Sequence, residues 1–203
     1  MPDRIETLEQ LRALYPPVKE RALRKQLPSL DPHCRRFIAL SPFIVMATVG
    51  EDGLADASPR GGAPGFVQVL DDACLLIPDA SGNNRLDSLQ NIVQTGRLGL
   101  LFLVPGVDET LRVNGTASLT TAADRMNRFV GLDKLPKLVI QLQVHEAYLH
   151  CAKSLMRSKL WSADTQVHRS SLPTMGQMLH DQIGGDAPVE TQDAMLARYR
   201  AEL

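Results

Sequence analysis

The chain is poor in cysteine and aromatic rings, has no long hydrophobic run, and carries almost no net charge. Each lack excludes something. Cys34, Cys74 and Cys151 are the only cysteines and form no C-x-x-C pair. A disulfide framework or a structural zinc site is therefore not expected, and a reducing compartment is. Aromatics make up 4% of the residues and the formal net charge is −1. A nucleic-acid surface needs clustered cations and stacking rings, so no such partner is expected. The longest apolar runs, such as LGLLFLV, are too short to cross a bilayer. The opening MPDRIETLEQ lacks the apolar core of a signal peptide. These readings predict a soluble, cytoplasmic protein with no membrane partner.

What is present is enough for one domain with a real core: 203 residues, 44% of them apolar. The texture predicts a helical extension over residues 1–40, a main domain over 41–162, and a polar tail over 163–203 with a short helix at TQDAMLARYR. Asp3 and Glu6 have capping-box spacing ahead of Ile5, Leu8, Leu11 and Tyr15. The pair at Pro16–Pro17 stops that helix. VKERALRKQL follows, its charges a solvated face, and Asp31 with Pro32 caps a third helix, HCRRFIAL. These helices are expected to pack on the sheet.

From Pro42 the pattern becomes that of strands. FIVMATVG, LADASPRG, GFVQVLD and ACLLIPD are short runs separated by turn chemistry. NRLDSLQNIVQTG reads as one amphipathic helix, with Leu86, Leu89, Ile92 and Val93 on one face and Gly96 beyond its end. RLGLLFLVPG follows as a strand. In TLRVNGTASLT, Leu111, Val113, Gly115, Ala117 and Leu119 alternate with Arg112, Asn114, Thr116, Ser118 and Thr120, a half-buried strand. TAADRMNRFVGL looks helical. LVIQLQVHEAYLHC alternates until His145–Glu146, where a bulge fits the break. Six or seven consecutive strands with short turns and one inserted helix favour a mainly β (α+β) fold with antiparallel pairing, closed or nearly closed into a barrel.

The stretch PDASGNNRLDSL admits two readings. Ser81 and Gly82 make a turn, Asn84 caps a helix beginning near Arg85, and Asp87 completes a capping box; on that account nothing binds there. Alternatively the helix start, the amides of Asn83 and Asn84 and the guanidinium of Arg85 hold a phosphate. Upstream, DASPRGGAPGF projects Asp56, Ser58 and Arg60, and its glycines would let backbone approach a flat ligand. Downstream, Lys153, Arg157 and Trp161 recur at i, i+4 and i+8, one face of a helix. His145, Glu146 and His150 could suggest a metal, but positions 145 and 150 face opposite sides of a strand unless a bulge intervenes, so no metal is expected. Cys151 reads as a small buried residue, and Met46, Met126 and Met156 as core filling.

Together the segments FIVMATVGEDGLADASPRGGAPGFV, LLIPDASGNNRLDSLQNI, LLFLVPGVDETLRVNGTASL and HEAYLHCAKSLMRSKLW resemble the pyridoxamine 5′-phosphate oxidase-related FMN-binding flavoproteins, and more closely their bacterial PPOX-type branch. The likeness runs over about residues 37–162. It implies an FMN-binding split β-barrel, with N-terminal helices, one inserted helix and C-terminal helices, that works as a homodimer with FMN at the subunit interface. Asn83, Asn84 and Arg85 would stand at the FMN phosphate, where the true oxidases have Ser-Arg-Lys and hence one cation more. Asp56, Ser58, Pro59 and Arg60 would run beside the flavin ring, and Pro78 and Asp79 along the ribityl chain. Arg112 would approach the cofactor or the partner subunit, and Lys153, Arg157, Ser158 and Trp161 match the C-terminal cluster. The oxidases' substrate-phosphate residues have no counterpart. The implied function is an FMN-dependent oxidoreductase transferring hydride between a small molecule, or a nicotinamide donor, and FMN. The alternatives are a non-catalytic flavin-binding or stress-associated protein, or a split barrel holding haem or the deazaflavin F420. No Ser-His-Asp or paired-carboxylate set is evident, which suits a site whose redox chemistry is the cofactor's.

Overall fold

A computed structural model describes residues 4–79, 82–185 and 188–202. Two short helices, α1 (Leu8–Ala13) and α2 (Glu20–Arg24), precede α3 (Pro32–Leu40). Asp31 caps α3 as expected, its carboxylate accepting from the Cys34 amide at 2.7 Å with Pro32 in the first turn. At α1 the capping box is instead Thr7 with Gln10; Asp3 lies outside the described residues.

The seven strands are β1 (Phe43–Val49), β2 (Ala55–Gly61), β3 (Gln68–Asp71), β4 (Cys74–Pro78), β5 (Arg97–Leu103), β6 (Thr110–Thr120) and β7 (Val139–His150). All pair antiparallel, in the order β2-β1-β5-β6-β7-β4-β3. The sheet is not closed: β2 and β3 remain its edges. One face carries the main core, from Ile44 and Met46 on β1 through Leu100, Val113 and Leu142 to Leu75 and Ile77 on β4. Helix α3 adds Cys34 and Ile38 to it, and α4 (Asp87–Thr95) adds Leu89 and Ile92. Each such aliphatic side chain contributes about 1.5–3 kcal/mol on leaving water. A smaller cluster on the opposite face joins Cys74, Leu76 and Val139 to Phe129, which follows α5 (Ala123–Met126).

The expected bulge is present. Asn114 pairs with Glu146 but Gly115 pairs with Val144, so His145 is the extra residue of β7. Close approach there requires glycine: a Cβ on Gly115 would stand 1.9 Å from the Gln143 carbonyl oxygen.

Other expectations need correction. Helix α4 starts two residues later than Arg85, and its inner face is Ser88, Leu89 and Ile92; Leu86 and Val93 are exposed because they fall outside that stripe. Helix α6 (Lys153–Ser158) stops at Lys159, whose φ of +50° ends the helical path, so Trp161 is not on its face. Cys151 and Met156 are exposed, because the chain turns outward from β7 into α6; Met46 is fully buried and Met126 lines the smaller cluster. The tail holds α7 (Met175–Ile183), which the sequence did not reveal, besides the expected α8 (Gln192–Glu202).

Candidate functional site

Register decides which way β2 faces. Asp56, Ser58 and Arg60 pair with Thr48, Met46 and Ile44 respectively. Cross-strand partners share a face, so these three polar residues lie on the core side of an edge strand. Ala55, Ala57 and Pro59 take the outer side. The polar side of edge strand β2 thus lines a seam with α4.

Helix α4 and the loop before it meet that seam. The Ser88 hydroxyl, 3% exposed, donates to the Asp56 carboxylate at 2.7 Å. Arg60 donates to the Ser58 hydroxyl, and to the Pro59 carbonyl at 2.9 Å. Asp79, just past β4, feels the Arg60 and Lys137 charges, yet burial is the larger influence and raises its carboxyl above the ordinary value. The structure thus brings Asp56, Ser58, Arg60, Asp79 and Arg85 into one region.

The loop itself is strained. Asn84 and Leu86 have φ of +58° and +64°, a region costly for side chains other than glycine. Among the described residues the only other non-glycine of this kind is Lys159, within the second predicted cluster. The Asn83 side-chain oxygen accepts from the Arg85 amide at 3.0 Å, an Asx turn. Asn84 does not cap α4; the N-cap is Leu86, without a side-chain acceptor. The first-turn amides of α4 are therefore left without a side-chain cap. Arg85 turns instead to Asp87, Nε to Oδ2 at 2.8 Å, and the pair is largely exposed. Ser81 lies outside the described residues, and Pro78 is buried in β4.

The other predicted residues gather elsewhere. Arg112, half-buried on the outer face of β6, rests over the Tyr148 ring at 5.1 Å. Lys153 and Arg157 are exposed on α6, the Ser158 hydroxyl returns to the Leu155 carbonyl, and Trp161 Nε1 donates to the Val107 carbonyl at 2.9 Å. Among the described residues no hydrogen bond or ion pair joins this group to the seam. His145 faces outward with Glu146 because of the bulge, its Nε2 3.2 Å from the Thr116 hydroxyl. Among the described residues no group of three His, Cys, Asp or Glu side chains could hold a metal ion. No described helix is long and apolar enough to cross a membrane.

Sequence reasoning missed Ser88 and the competing role of Asp87. The signal for Ser88 was a small polar residue on the apolar stripe with Leu89 and Ile92. Asp87 has the sequence position of a cap residue, but its carboxylate holds Arg85 instead.

An open, seven-stranded antiparallel sheet with a polar seam against one inserted helix is the architecture of a split β-barrel. The chain belongs to the pyridoxamine 5′-phosphate oxidase family, whose family model matches residues 30–151. No curated protein matches it. Among solved structures, a variant of HupZ from Group A Streptococcus is 18% identical, covering 59% of this chain and 98% of that one with a TM-score of 0.50; this likeness shows the shared fold. An FMN-binding protein from Syntrophomonas wolfei is 14% identical over 70% of this chain and 92% of its own, with a TM-score of 0.47.

Proposed function

We propose that this protein is an FMN-dependent oxidoreductase that acts as a cytoplasmic homodimer and passes hydride between a small molecule, or a nicotinamide donor, and the flavin. The observation that carries the reading is the meeting of the polar side of β2 with the uncapped start of α4. Family membership supports it.

The donors present fit a flavin mononucleotide. First-turn amides without a side-chain cap and the positive end of the helix suit a phosphate monoester, and Arg85 supplies a guanidinium able to grip two oxygens. The acids modulate the fit: Asp87 already occupies Arg85, and Asp56 is satisfied by Ser88. Phosphate binding therefore exchanges one anion for another at Arg85. Arg60, on the core side of β2, would offer positive charge to the ring. Bound flavin supplies the redox chemistry; the protein binds, orients and tunes it.

A second copy is part of the reading. The cluster on β6 and α6 does not reach the seam within one chain, and an interface would bring one protomer's cluster toward its partner's seam. The outer faces of β1, β2 and β5 present Phe43, Val45, Ala57, Pro59 and Leu101 with no helix over them among the described residues, the kind of surface that association buries.

The test is to purify the protein, release any bound chromophore by denaturation and identify it by mass. FMN, followed by its anaerobic reduction with a nicotinamide and reoxidation by oxygen, supports the enzyme. A preparation that binds no flavin at saturating FMN overturns it. Tight FMN without turnover across a broad substrate panel leaves only flavin binding.

A further inference from the structure

The arm of residues 4–24 buries nothing in its own chain. Neither α1 nor α2 has a buried residue, and Leu8, Leu14 and Leu23 are 75%, 53% and 56% exposed. Helices this short do not hold in water on local propensity; their stability comes from an apolar side packed on something. The capping box of Thr7 with Gln10 adds only about 1 kcal/mol. Leu8 and Leu11, one turn apart, lie on one side of α1 and would form that contact.

The arm is nonetheless firmly anchored where it ends. Leu27 exchanges backbone hydrogen bonds of 3.0 and 2.9 Å with Ala147, on the part of β7 that runs past β4. Lys25 Nζ donates to the Leu149 carbonyl at 2.9 Å, and the Gln26 amide donates to Glu146. Glu146 sits on the outer face, taking a second hydrogen bond from Asn114 at 2.5 Å. The arm therefore leaves its own chain at the rim of the uncovered outer sheet face.

That face contains a hollow of about 530 Å³ across β1, β5, β6 and β7. Ala47, Val49 and Gly99 leave it shallow and apolar in the middle, and Arg97 stands at its end. A Cβ on Gly99 would meet the Asn114 side-chain oxygen at 2.8 Å, so the side chain of Asn114 borders the hollow there. Arg97 is exposed, and among the described residues neither it nor Glu6 nor Glu9 has an ion-pair partner.

We propose that the arm of each protomer packs on the outer sheet face of a second copy, with Leu8 and Leu11 seated over Ala47, Val49 and Gly99 and the Glu6–Glu9 end beside Arg97. This rests on the homodimer of the proposed function. Two-fold symmetry covers both arms and both faces at once, because an isologous interface uses each patch twice. Size agrees as well. A stable interface takes roughly 20–30 residues a side, more than the outer rows of β1, β2 and β5 supply alone, and the arm provides the remainder.

Sedimentation equilibrium of the full chain, with and without Leu8→Asp and Leu11→Asp together, tests it. Because neither side chain is buried at home, the double variant keeps its circular dichroism and unfolding midpoint at dilution. Its dimer dissociation constant rises at least tenfold. Arg97→Glu weakens the dimer as well, and Glu6→Arg with Glu9→Arg restores it. A wild-type dimer whose dissociation constant the double variant leaves within twofold overturns the arm contact alone. A wild-type protein that is monomeric at every concentration overturns the dimer beneath it; flavin binding, read separately, distinguishes that failure from loss of the cofactor assignment.

Discussion

Ser88, buried in the first turn of α4, donates its hydroxyl to Asp56 on edge strand β2 across 2.7 Å. This bond joins the inserted helix to the open side of the sheet and fixes the width of the seam. A hydrogen bond to a charged group contributes about 1.5–3 kcal/mol. Asp56 is partly exposed, which puts Ser88→Ala near the lower end, at about 1–2 kcal/mol of lost stability in urea unfolding. In a double-mutant cycle with Asp56→Asn, the two changes should couple by about 1 kcal/mol. Strict additivity would mean that water replaces the bond without cost.

Arg85 and Asp87 should act on cofactor retention in opposite senses. Arg85→Ala weakens FMN binding by about 1.5–3 kcal/mol in equilibrium dialysis. Its stability stays within about 0.5 kcal/mol, since the side chain is 73% exposed. Asp87→Asn frees the guanidinium and removes a negative charge from the phosphate site, so FMN binds severalfold more tightly. Weaker binding by Asp87→Asn would place the phosphate elsewhere.

Asp79 gives the fold a pH signature. Burial raises its carboxyl above the ordinary value of 3.8, and Arg60 and Lys137 offset this only in part. An acid that is weaker in the folded chain than in the unfolded one costs stability once it ionises. The cost is fully present above the folded-state pKa and disappears below the unfolded value near 3.8. Asp79→Asn should therefore melt higher than wild type near neutrality, with the gain shrinking as pH falls towards about 4. A gain that grows on acidification would contradict the assignment.

Gly115 leaves no room for a side chain. With Gln143 carbonyl oxygen 1.9 Å from the site of a Cβ, Gly115→Ala must push β6 and β7 apart, at about 2–3 kcal/mol. The urea midpoint should fall accordingly; an unchanged midpoint would mean that the strands separate freely there.

The strands were legible because alternation is a local property. Leu111, Val113 and Ala117 on β6 are buried where the pattern puts them, and the break at His145 marked the bulge. The polarity of β2 was not. Asp56, Ser58 and Arg60 alternate with Ala55, Ala57 and Pro59, and alternation alone does not say which set faces the core. Pairing with β1 puts the polar set on the core side and the apolar set outside, since register is a long-range choice. The start of α4 misled for another reason. Asn84 has the chemistry of a cap, but the left-handed turns at Asn84 and Leu86 delay the helix to Asp87. The residues of the seam could be named from the resemblance, whereas their mutual engagement, Arg85 with Asp87 and Asp56 with Ser88, depends on side-chain geometry. The separation of the C-terminal cluster from the seam is likewise a property of three dimensions.

The extra residue in β7 has a further consequence, for the tolerance of the chain to insertions and deletions. His145 and Glu146 stand side by side on the outer face, and only Glu146 has a partner on β6. Deleting His145 would leave Val144 inward, Glu146 outward and Ala147 inward, the alternation of a regular strand, so the last third of β7 would keep its facing. What the deletion removes is the local bend and the contact of His145 with Thr116. Loss of one codon at this position is therefore one that the strand can absorb.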